Sequence, residues 1–447
     1  MSFSASHVVP APRDEVWRWH SRPGAVVRLT PPFLPMRPVI QAADLCSGTT
    51  EFALPAGLRW VARHDTEGFV DGTQFRDRAA NAPFRAATGW VHTHRFEEVS
   101  PDSTRVSDHV ENRVPGAFLH RAFAYRQRQL IEDLRFLSTL PDSPRLTVAV
   151  TGARGLVGTA LSAQLTTAGH RVIELSHGTA RPGARRWDVD NPAADLLRGV
   201  DAVVHLAGEP IGGRFTAAKK RRIAGSRVEP TRRLARLAAE SGVKAFVSAS
   251  AIGFYGTDAA TPARTESAPR GEGFLAQVCE EWEAASRVDG LRTVNVRTGL
   301  VLSGAGGLLP LLRRSAGLDL GARLGDGSTW MSWISLDDLT DIYVRALVDA
   351  SFTGPLNATA PHPVTSAEFS AALTRLLHRP DVLSVPAFGP AALLGREGAA
   401  ELAFASQNVV PDELGARGVR FRYPALESAL AHELGRERLV DPSRVAP

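Results

Sequence analysis

The octapeptide TGARGLVG, residues 151–158, constrains this chain more than any other stretch. It follows the short apolar run LTVAV and precedes LVGTALSAQLTTAG, which reads as a helix. Glycines at 152, 155 and 158 have the spacing of a strand-turn-helix that receives a dinucleotide pyrophosphate. Glycine is needed there because backbone N–H groups must approach the phosphates with no Cβ in the way, and the helix N-terminus adds a favourable dipole. Thr151, Gly152, Arg154, Gly155, Leu156, Val157 and Gly158 are therefore the expected floor of a dinucleotide site. The strand that carries them begins about a third of the way along the chain, so something else must come first.

At 447 residues the chain is too long for one ordinary core, and two or three domains are expected. A hydrophobic content of 44% with 22% charged residues is that of a soluble globular protein. The net charge is only +5, and the pI of about 9.6 reflects basic side chains that are nearly all arginine; Lys219, Lys220 and Lys244 are the lysines. No basic run is interleaved with aromatics, so no nucleic-acid partner is expected. Cys46 and Cys279 lie far apart without metal-ligand spacing, which predicts neither disulfide nor metal site and fits a reducing cytoplasm. The opening MSFSASHVVPAPRDEVW has no basic segment followed by an apolar one. Stretches such as TGLVLSGAGGLLPLL carry Gly and Pro and fall short of the roughly 18 apolar residues of a membrane span. A cytoplasmic protein without a membrane span is the expectation.

Residues 1–140 contain short alternating runs (LRWVARH, ATGWVHTHRFEEV, STRVSDHVENRV) between Pro, Gly and Asp punctuation, the texture of an antiparallel sheet. They are followed by GAFLHRAFAYRQRQLIEDLRFLSTL, where Leu119, Phe123, Leu130, Leu134 and Leu137 recur at helical spacing and must be buried. Sheet then long helix resembles the helix-grip fold of the START-like family, which includes polyketide cyclases and lipid-transfer domains. The strand-like FSASHVV followed by PRDEVWRWHSRPGAVVRLTPPF fits its opening. That resemblance implies an apolar cavity between sheet and helix, although Trp17, Phe33, Trp60, Phe69 and Trp90 are read first as a packed core. The segment TLPDSPR, residues 139–145, reads as a linker.

From residue 146 strands and helices alternate: LTVAV, LVGTALSAQLTTAG, HRVIELS, AADLLRG, AVVHLAG, EPTRRLARLAAESG, AFVSAS, TVNVRTGLVL. This order predicts an α/β domain with a doubly wound parallel sheet of Rossmann type over residues 146–375. The alternation weakens after about residue 300, and helix-like AEFSAALTRLLH and LESALAHEL suggest a small C-terminal lobe, residues 376–447.

The strand HRVIELS bears on which dinucleotide is bound. An NAD site usually ends this strand with Asp or Glu accepting from the ribose 2′-OH. Here Ser176 and His177 stand at its end, and the next carboxylate after them is Asp188. Lack of a carboxylate admits a 2′-phosphate, and Arg154 in the loop, with His177 and Arg181, can supply positive charge. NADP is the expected cofactor. Asp188 and Val189 follow a short strand and could contact the adenine edge; Leu206, Ala207 and Gly208 end a strand where small residues would border the cofactor.

TGARGLVG, HLAGEPI, SASAIGFYG, RTGLVLS and WMSWISLDDL, in that order, resemble the extended short-chain dehydrogenase/reductase superfamily. KKRRIAGSRVEPTRRL, GEGFLAQVCEEWEAAS and GDGSTWMSWISLDDL resemble its atypical "epimerase family" branch of the NAD-dependent epimerase/dehydratase type, whose members carry a small C-terminal domain of unassigned role and, in larger bacterial members, a START-like front domain. The superfamily generally uses a Tyr-x-x-x-Lys pair with a nearby Ser, the lysine lowering the tyrosine pKa for proton transfer during hydride transfer. Four residues beyond Tyr125, Tyr255, Tyr343 and Tyr423 stand Gln129, Ala259, Leu347 and Glu427, so this chain has no such pair. In the expected helix GFLAQVCEEWEAAS, Phe274 or Leu275 takes the tyrosine's place and Val278 or Cys279 the lysine's. Ser250 matches the family's serine, with Ser248 upstream, and Tyr255 is the tyrosine near the expected site.

The resemblance further implies that Arg297, Thr298 and Gly299 contact nicotinamide. Lys220 and Arg227 could face a substrate lobe, and Trp330, Met331 and Trp333 could line the pocket, with Asp337 and Asp338 behind them as an alternative helix cap. Two functions follow as expectations. One is an NADP(H)-dependent oxidoreductase or epimerase acting on a small substrate, with proton transfer by Ser250, Tyr255 or water. The other is a non-catalytic NADP(H)-binding sensor coupled to an apolar ligand in the front domain.

Overall fold

The computed structural model describes residues 2–178, 183–317, 323–381, 385 and 388–441. The chain falls into two compact units: one runs through Leu140 and includes Ala163–Gly169 and the chain from Ala431, the other comprises Pro141–Ser162 and His170–Leu430.

In the first unit the alternating runs become strands β1 (Ser2–Val9), β2 (Arg37–Ile40), β3 (Thr49–Ala53), β4 (Arg59–His64), β5 (Gln74–Ala79), β6 (Val91–Ser100) and β7 (Ser103–Glu111). They form one antiparallel sheet in the order β1-β7-β6-β5-β4-β3-β2. Period-two burial sets the register: on β6, His92, His94 and Phe96 face inward while Arg95 and Glu97 face water. Helices α1 (Arg13–Ser21), α2 (Ala25–Arg28) and α3 (Ala82–Thr88) connect the strands, and α4 (Gly116–Ser138) follows them. The stripe read from sequence is the packed face of α4. Leu119 and Phe123 meet Phe3 and Val110, while Leu130 and Leu134 meet Phe96 and Val106. Each such side chain contributes about 1.5–3 kcal/mol on burial. Arg28 on α2 makes a buried two-point ion pair with Asp133 on α4. The returning C-terminal segment completes this unit: His432 stacks on Tyr125 at 4.4 Å, and the Val440 amide donates to Gln127 Oε1 at 2.8 Å.

A cavity of about 390 Å³ opens within this unit, walled by Met36, Trp60, Phe84, Trp90, Phe118 and others. Trp17 and Phe69 do pack into the core and Phe33 meets Tyr125 edge-on. Trp60 and Trp90 instead border the cavity, so a packed core accounts for only part of that aromatic set.

In the second unit, β8 (Thr147–Thr151), β9 (Arg171–Ser176), β10 (Ala184–Arg186), β11 (Ala202–His205), β12 (Ala245–Ala251), β14 (Arg292–Thr298) and β18 (Gly354–Ala358) form a parallel sheet in the order β10-β9-β8-β11-β12-β14-β18. Helices α5 (Leu156–Thr167), α6 (Ala217–Gly225), α7 (Val228–Glu240), α8 (Phe274–Ser286), α9 (Leu309–Gly317) and α10 (Leu336–Val348) connect them. The doubly wound α/β sheet expected from the alternation is present. The helix expected at AADLLRG is not. Residues 194–199 are successive turns closed by bonds such as Leu196 N to Ala193 O (2.9 Å) and Val200 N to Leu197 O (3.0 Å). Pro192 before them and Gly199 at φ 68° after them leave too few residues for a helical nucleus.

Smaller pairings surround the sheet: β13 (Asp258–Arg264) with β20 (Ser406–Val409), β15 (Leu300–Leu302) with β17 (Trp333–Ser335), and β16 (Trp330–Met331) with β19 (Val364–Thr365). The C-terminal helices are α11 (Ser366–Leu377), entered through a Thr365/Glu368 capping box, α12 (Phe388–Gly398), α13 (Asp412–Ala416) and α14 (Leu426–Glu433). Among the described residues no helix is long and apolar enough to cross a membrane.

Candidate functional site

The strand order reverses direction at β8, between β9 on one side and β11 on the other. A crevice at such a switch point is where open parallel sheets take ligands. The first strand ends on Thr151, whose Oγ1 accepts from the Leu206 and Ala207 amides at 3.0 and 3.1 Å and lies 2.8 Å from His205 Nδ1. With both lone pairs used, the Thr151 hydroxyl must donate to Nδ1, which leaves the His205 proton on Nε2. Burial pushes the His205 pKa down to about 3, assisted by the Arg227 charge, so the ring is neutral.

The glycines differ in what they permit. A Cβ on Gly152, which sits at φ 65°, would lie 3.0 Å from the Leu206–Ala207 backbone, and one on Gly158 would run into the Gly152 carbonyl. Gly155 is exposed, and a Cβ there would meet only Gly152 O, at 3.3 Å. The first and third glycines thus close the turn onto β11 and α5, while the middle one, its own N–H bonded to Gly152 O at 2.9 Å, leaves the space over the turn clear of side chain. That is the cradle a pyrophosphate requires.

Arg154 is exposed in this loop, and its Nε pairs with Glu174 on β9 at 2.6 Å. Glu174, inside the strand, is a residue that the sequence pattern does not single out. Ser176 and His177 do end β9; the Ser176 Oγ accepts from Gly178 N at 3.3 Å, and His177 stacks on Trp187. Asp188 is engaged locally, accepting from the Asp190 and Asn191 amides, and Val189 packs on the core. Parallel pairing of β10 with β9 brings these residues beside one another on the same sheet edge as the glycine loop. Arg181 lies outside the described residues. Gly208 follows on the β11 side, where the Arg227 guanidinium lies 3.1 Å from the place a Cβ would occupy.

A second cluster lies across β12, β14 and α8. Ser250 and Arg297 are register partners, and both reach the Glu283 carboxylate on α8. Ser250 Oγ donates at 2.7 Å, and Arg297 makes a two-point pair through Nε and a terminal nitrogen, each at 2.8 Å. Arg297 also donates to the Tyr255 hydroxyl at 2.9 Å and packs its guanidinium 3.5 Å from the Phe254 ring centre. Tyr255 in turn lies within donating distance of Asn357 Oδ1 (2.8 Å) and Thr265 O (3.0 Å). Burial raises the Tyr255 pKa despite Arg297, so the phenol is neutral. Ser250 and Tyr255 are only 4% and 3% exposed, with their hydroxyls committed to this network. Glu283, which joins it, was not foreseen.

Other anticipated residues are held as follows. Leu275, Val278 and Cys279 are buried, and burial pushes the Cys279 thiol up to about 12. The first amides of α8, Phe274 and Leu275, donate to the Glu401 carboxylate at 2.7 and 2.8 Å. Gly299 donates to Ala358 O, and a Cβ there would come 2.6 Å from Ser332 O; Thr298 donates to Val296 O. Lys220 pairs with Glu397, and Arg227 lies over Trp282. Trp333 is fully buried and donates to His362 O. The cap of α10 is Ser335, which accepts from Asp338 N, while the Asp338 carboxylate accepts from the Arg422 and Tyr423 amides.

The chain is similar to known proteins. Residues 148–355 match the NAD dependent epimerase/dehydratase family, and residues 385–433 match a domain of unknown function, DUF1731. An epimerase family protein of Mycobacterium leprae is 38% identical over 299 residues, 65% of this chain and 96% of that one. The structure of human epimerase family protein SDR39U1, solved with NADPH, is 31% identical with a TM-score of 0.60, covering 65% of this chain and 99% of that one. A crystal structure described as the nucleoside-diphosphate sugar epimerase from Corynebacterium glutamicum is 48% identical with a TM-score of 0.88. It covers 98% of this chain and 91% of that one, so the likeness extends through the front unit.

Proposed function

Because this chain belongs to the epimerase family, we propose that it is an NADP(H)-dependent oxidoreductase or epimerase acting on a small substrate. The observation that carries the reading is the glycine turn: Gly152 and Gly158 close it and Gly155 leaves the space over it clear of side chain. Thr151 to Gly158 would hold the pyrophosphate; Arg154, Ser176 and His177 the 2′-phosphate; Asp188 and Val189 the adenine; and Leu206 to Gly208 the cofactor's flank. Bound nicotinamide supplies a hydride donor or acceptor. Arg154, aimed by Glu174, gives the preference for the 2′-phosphate, and the human relative's NADPH supports it. Proton transfer falls to Ser250, Tyr255 or a bound water. Arg297, Thr298 and Gly299 stand on the nicotinamide side.

The burial of the Ser250 and Tyr255 hydroxyls, with no Tyr-x-x-x-Lys, favours a second reading: an NADP(H)-binding sensor without turnover. In both readings residues 1–140 form a START-like helix-grip domain whose cavity takes an apolar ligand, residues 146–375 the nucleotide domain and residues 376–447 a small C-terminal domain. The protein works without nucleic acid, in the cytoplasm.

The test is a titration of the purified chain with NADPH and NADH, followed by turnover assays on carbonyl compounds and, given the corynebacterial relative's description, nucleoside-diphosphate sugars. Tighter NADPH binding that weakens in Arg154→Ala supports the cofactor assignment; tighter NADH binding removes it. Turnover abolished by Ser250→Ala supports the enzyme, and tight binding with no turnover supports the sensor.

A further inference from the structure

The cavity of the first unit has a polar floor of unusual composition. His92 and His94 project from the same face of β6, as residues two apart on a strand must. Asp77 on β5 is the register partner of His92, and Asp108 on β7 that of His94. Asp108 Oδ1 lies 2.9 Å from His92 Nε2 and 3.1 Å from His94 Nδ1. An ionised carboxylate only accepts, so with both rings neutral each donates to Asp108 and presents the lone pair of its opposite nitrogen, His92 Nδ1 and His94 Nε2; without a metal the two carboxylates favour a second proton on His94. Those two nitrogens face one oxygen, Asp77 Oδ2, at 3.7 and 3.5 Å.

Three such donors pointing at a common centre repel one another unless a proton or a metal ion lies between them. The separations exceed a good hydrogen bond. They are close to the roughly 3.4 Å that separates neighbouring ligands when metal bonds of about 2.1 Å are arranged tetrahedrally. The ligand atoms all lie within 4.8 Å of one another. Asp108 stands where metal-bound histidines find their outer carboxylate, fixing tautomer and ring orientation. Phe75 stacks on His94 at 4.0 Å, and the two imidazoles lie 3.7 Å apart, so the rings are clamped. Two carboxylates carry more negative charge than Arg126, the cationic side chain in the cavity wall, offsets. His7 and His20 are buried beside them with depressed pKa values, and thus add no further positive charge.

We propose that Asp77, His92 and His94 bind a divalent transition-metal ion of the Zn²⁺ or Fe²⁺ class, with Asp108 as the positioning carboxylate. Two imidazoles and one carboxylate leave positions free for outside ligands. All three ligands line the cavity, so those positions open into it and would take an oxygen-bearing head group of an otherwise apolar molecule. Sequence spacing predicted no metal site because Asp77 is separated from the histidines by a turn and a helix.

The test uses the tag-free full-length chain, stripped with a chelator and titrated with Co²⁺ or Zn²⁺. Uptake of about one equivalent, with visible Co²⁺ bands of low-coordinate nitrogen and oxygen ligation, is expected. His92→Gln and His94→Gln should abolish it, and Asp108→Asn should weaken it by about 10–100-fold. Retained near-ultraviolet circular dichroism and cooperative thermal unfolding would show that these variants fold. Should they not fold, the wild-type Co²⁺ spectrum decides alone. The proposal is overturned if stripped wild-type protein takes up neither ion, which leaves a shared proton at the centre, or if folded glutamine variants bind with unchanged affinity.

Discussion

Ser250 and Arg297 face each other across adjacent strands and share one carboxylate, that of Glu283. The arrangement ties Ser250 to a buried charge pair, and so makes it part of the fold. Glu283→Gln removes the counter-charge of the buried Arg297 guanidinium and turns one of the two oxygens facing it into a donor, at an expected cost of about 3–5 kcal/mol. Ser250→Ala removes one charge-assisted bond, at about 1.5–3 kcal/mol. Urea denaturation followed by tryptophan fluorescence ranks the two, and equal midpoints would contradict the shared-carboxylate account. The double variant should lose less than the sum, because both changes act on one network.

The three glycines of the turn separate binding from folding. Gly158→Ala forces a methyl group into the Gly152 carbonyl and should destabilise the second unit. Gly155→Ala meets one atom at 3.3 Å, so its melting temperature should stay near wild type while NADPH affinity falls at least about tenfold, the equivalent of about 1.4 kcal/mol. Calorimetric titration beside a thermal scan reads both quantities; unchanged affinity in Gly155→Ala would remove the phosphate from this loop.

His205 makes stability depend on pH in a defined direction. Its folded pKa of about 3 lies below the 6.5 of a free histidine, so the unfolded chain takes up the proton first. Its contribution is therefore whole above pH 6.5 and is lost as pH falls from there towards 3, by about 1.4 kcal/mol per unit. His205→Gln offers the Thr151 hydroxyl an acceptor but does not titrate. Its unfolding free energy should fall less steeply with acid over that window than wild type's, and parallel curves would count against a neutral buried imidazole.

Glu401 closes the N-terminus of α8 through the Phe274 and Leu275 amides. Glu401→Ala leaves both amides without that partner and should cost about 1–2 kcal/mol. Hydrogen exchange gives the sharper reading: these two amides should exchange faster while those of the last turn, such as Ala285, keep wild-type protection. Uniform acceleration along α8 would indicate general loosening instead.

The turn at residues 151–158 and the parallel sheet around it were legible because they rest on local rules: an apolar run, glycines at fixed offsets, a helix after them. The α4 stripe was legible for the same reason. Glu283 was hidden because its partners, Ser250 and Arg297, are 33 residues before it and 14 after it, and only strand register brings them together. Glu174 is not legible as a partner because it lies inside β9 while its pair, Arg154, sits in another element. AADLLRG carries helical residues, but its flanking Pro192 and Gly199 outweigh that preference. The His92/His94 pair did leave a signal, two histidines two apart in an alternating run; its significance depends on Asp77 and Asp108, which neighbouring strands supply.

The closing segment of the chain carries a consequence for biogenesis. His432 and Val440 dock on α4 through Tyr125, Gln129 and Gln127. This face of α4 must therefore wait for residues translated roughly 300 positions later before it is covered, an interval on the order of tens of seconds at ordinary elongation rates. A nascent chain halted at the linker would present α4 with that side bare, a natural place for a chaperone to hold it.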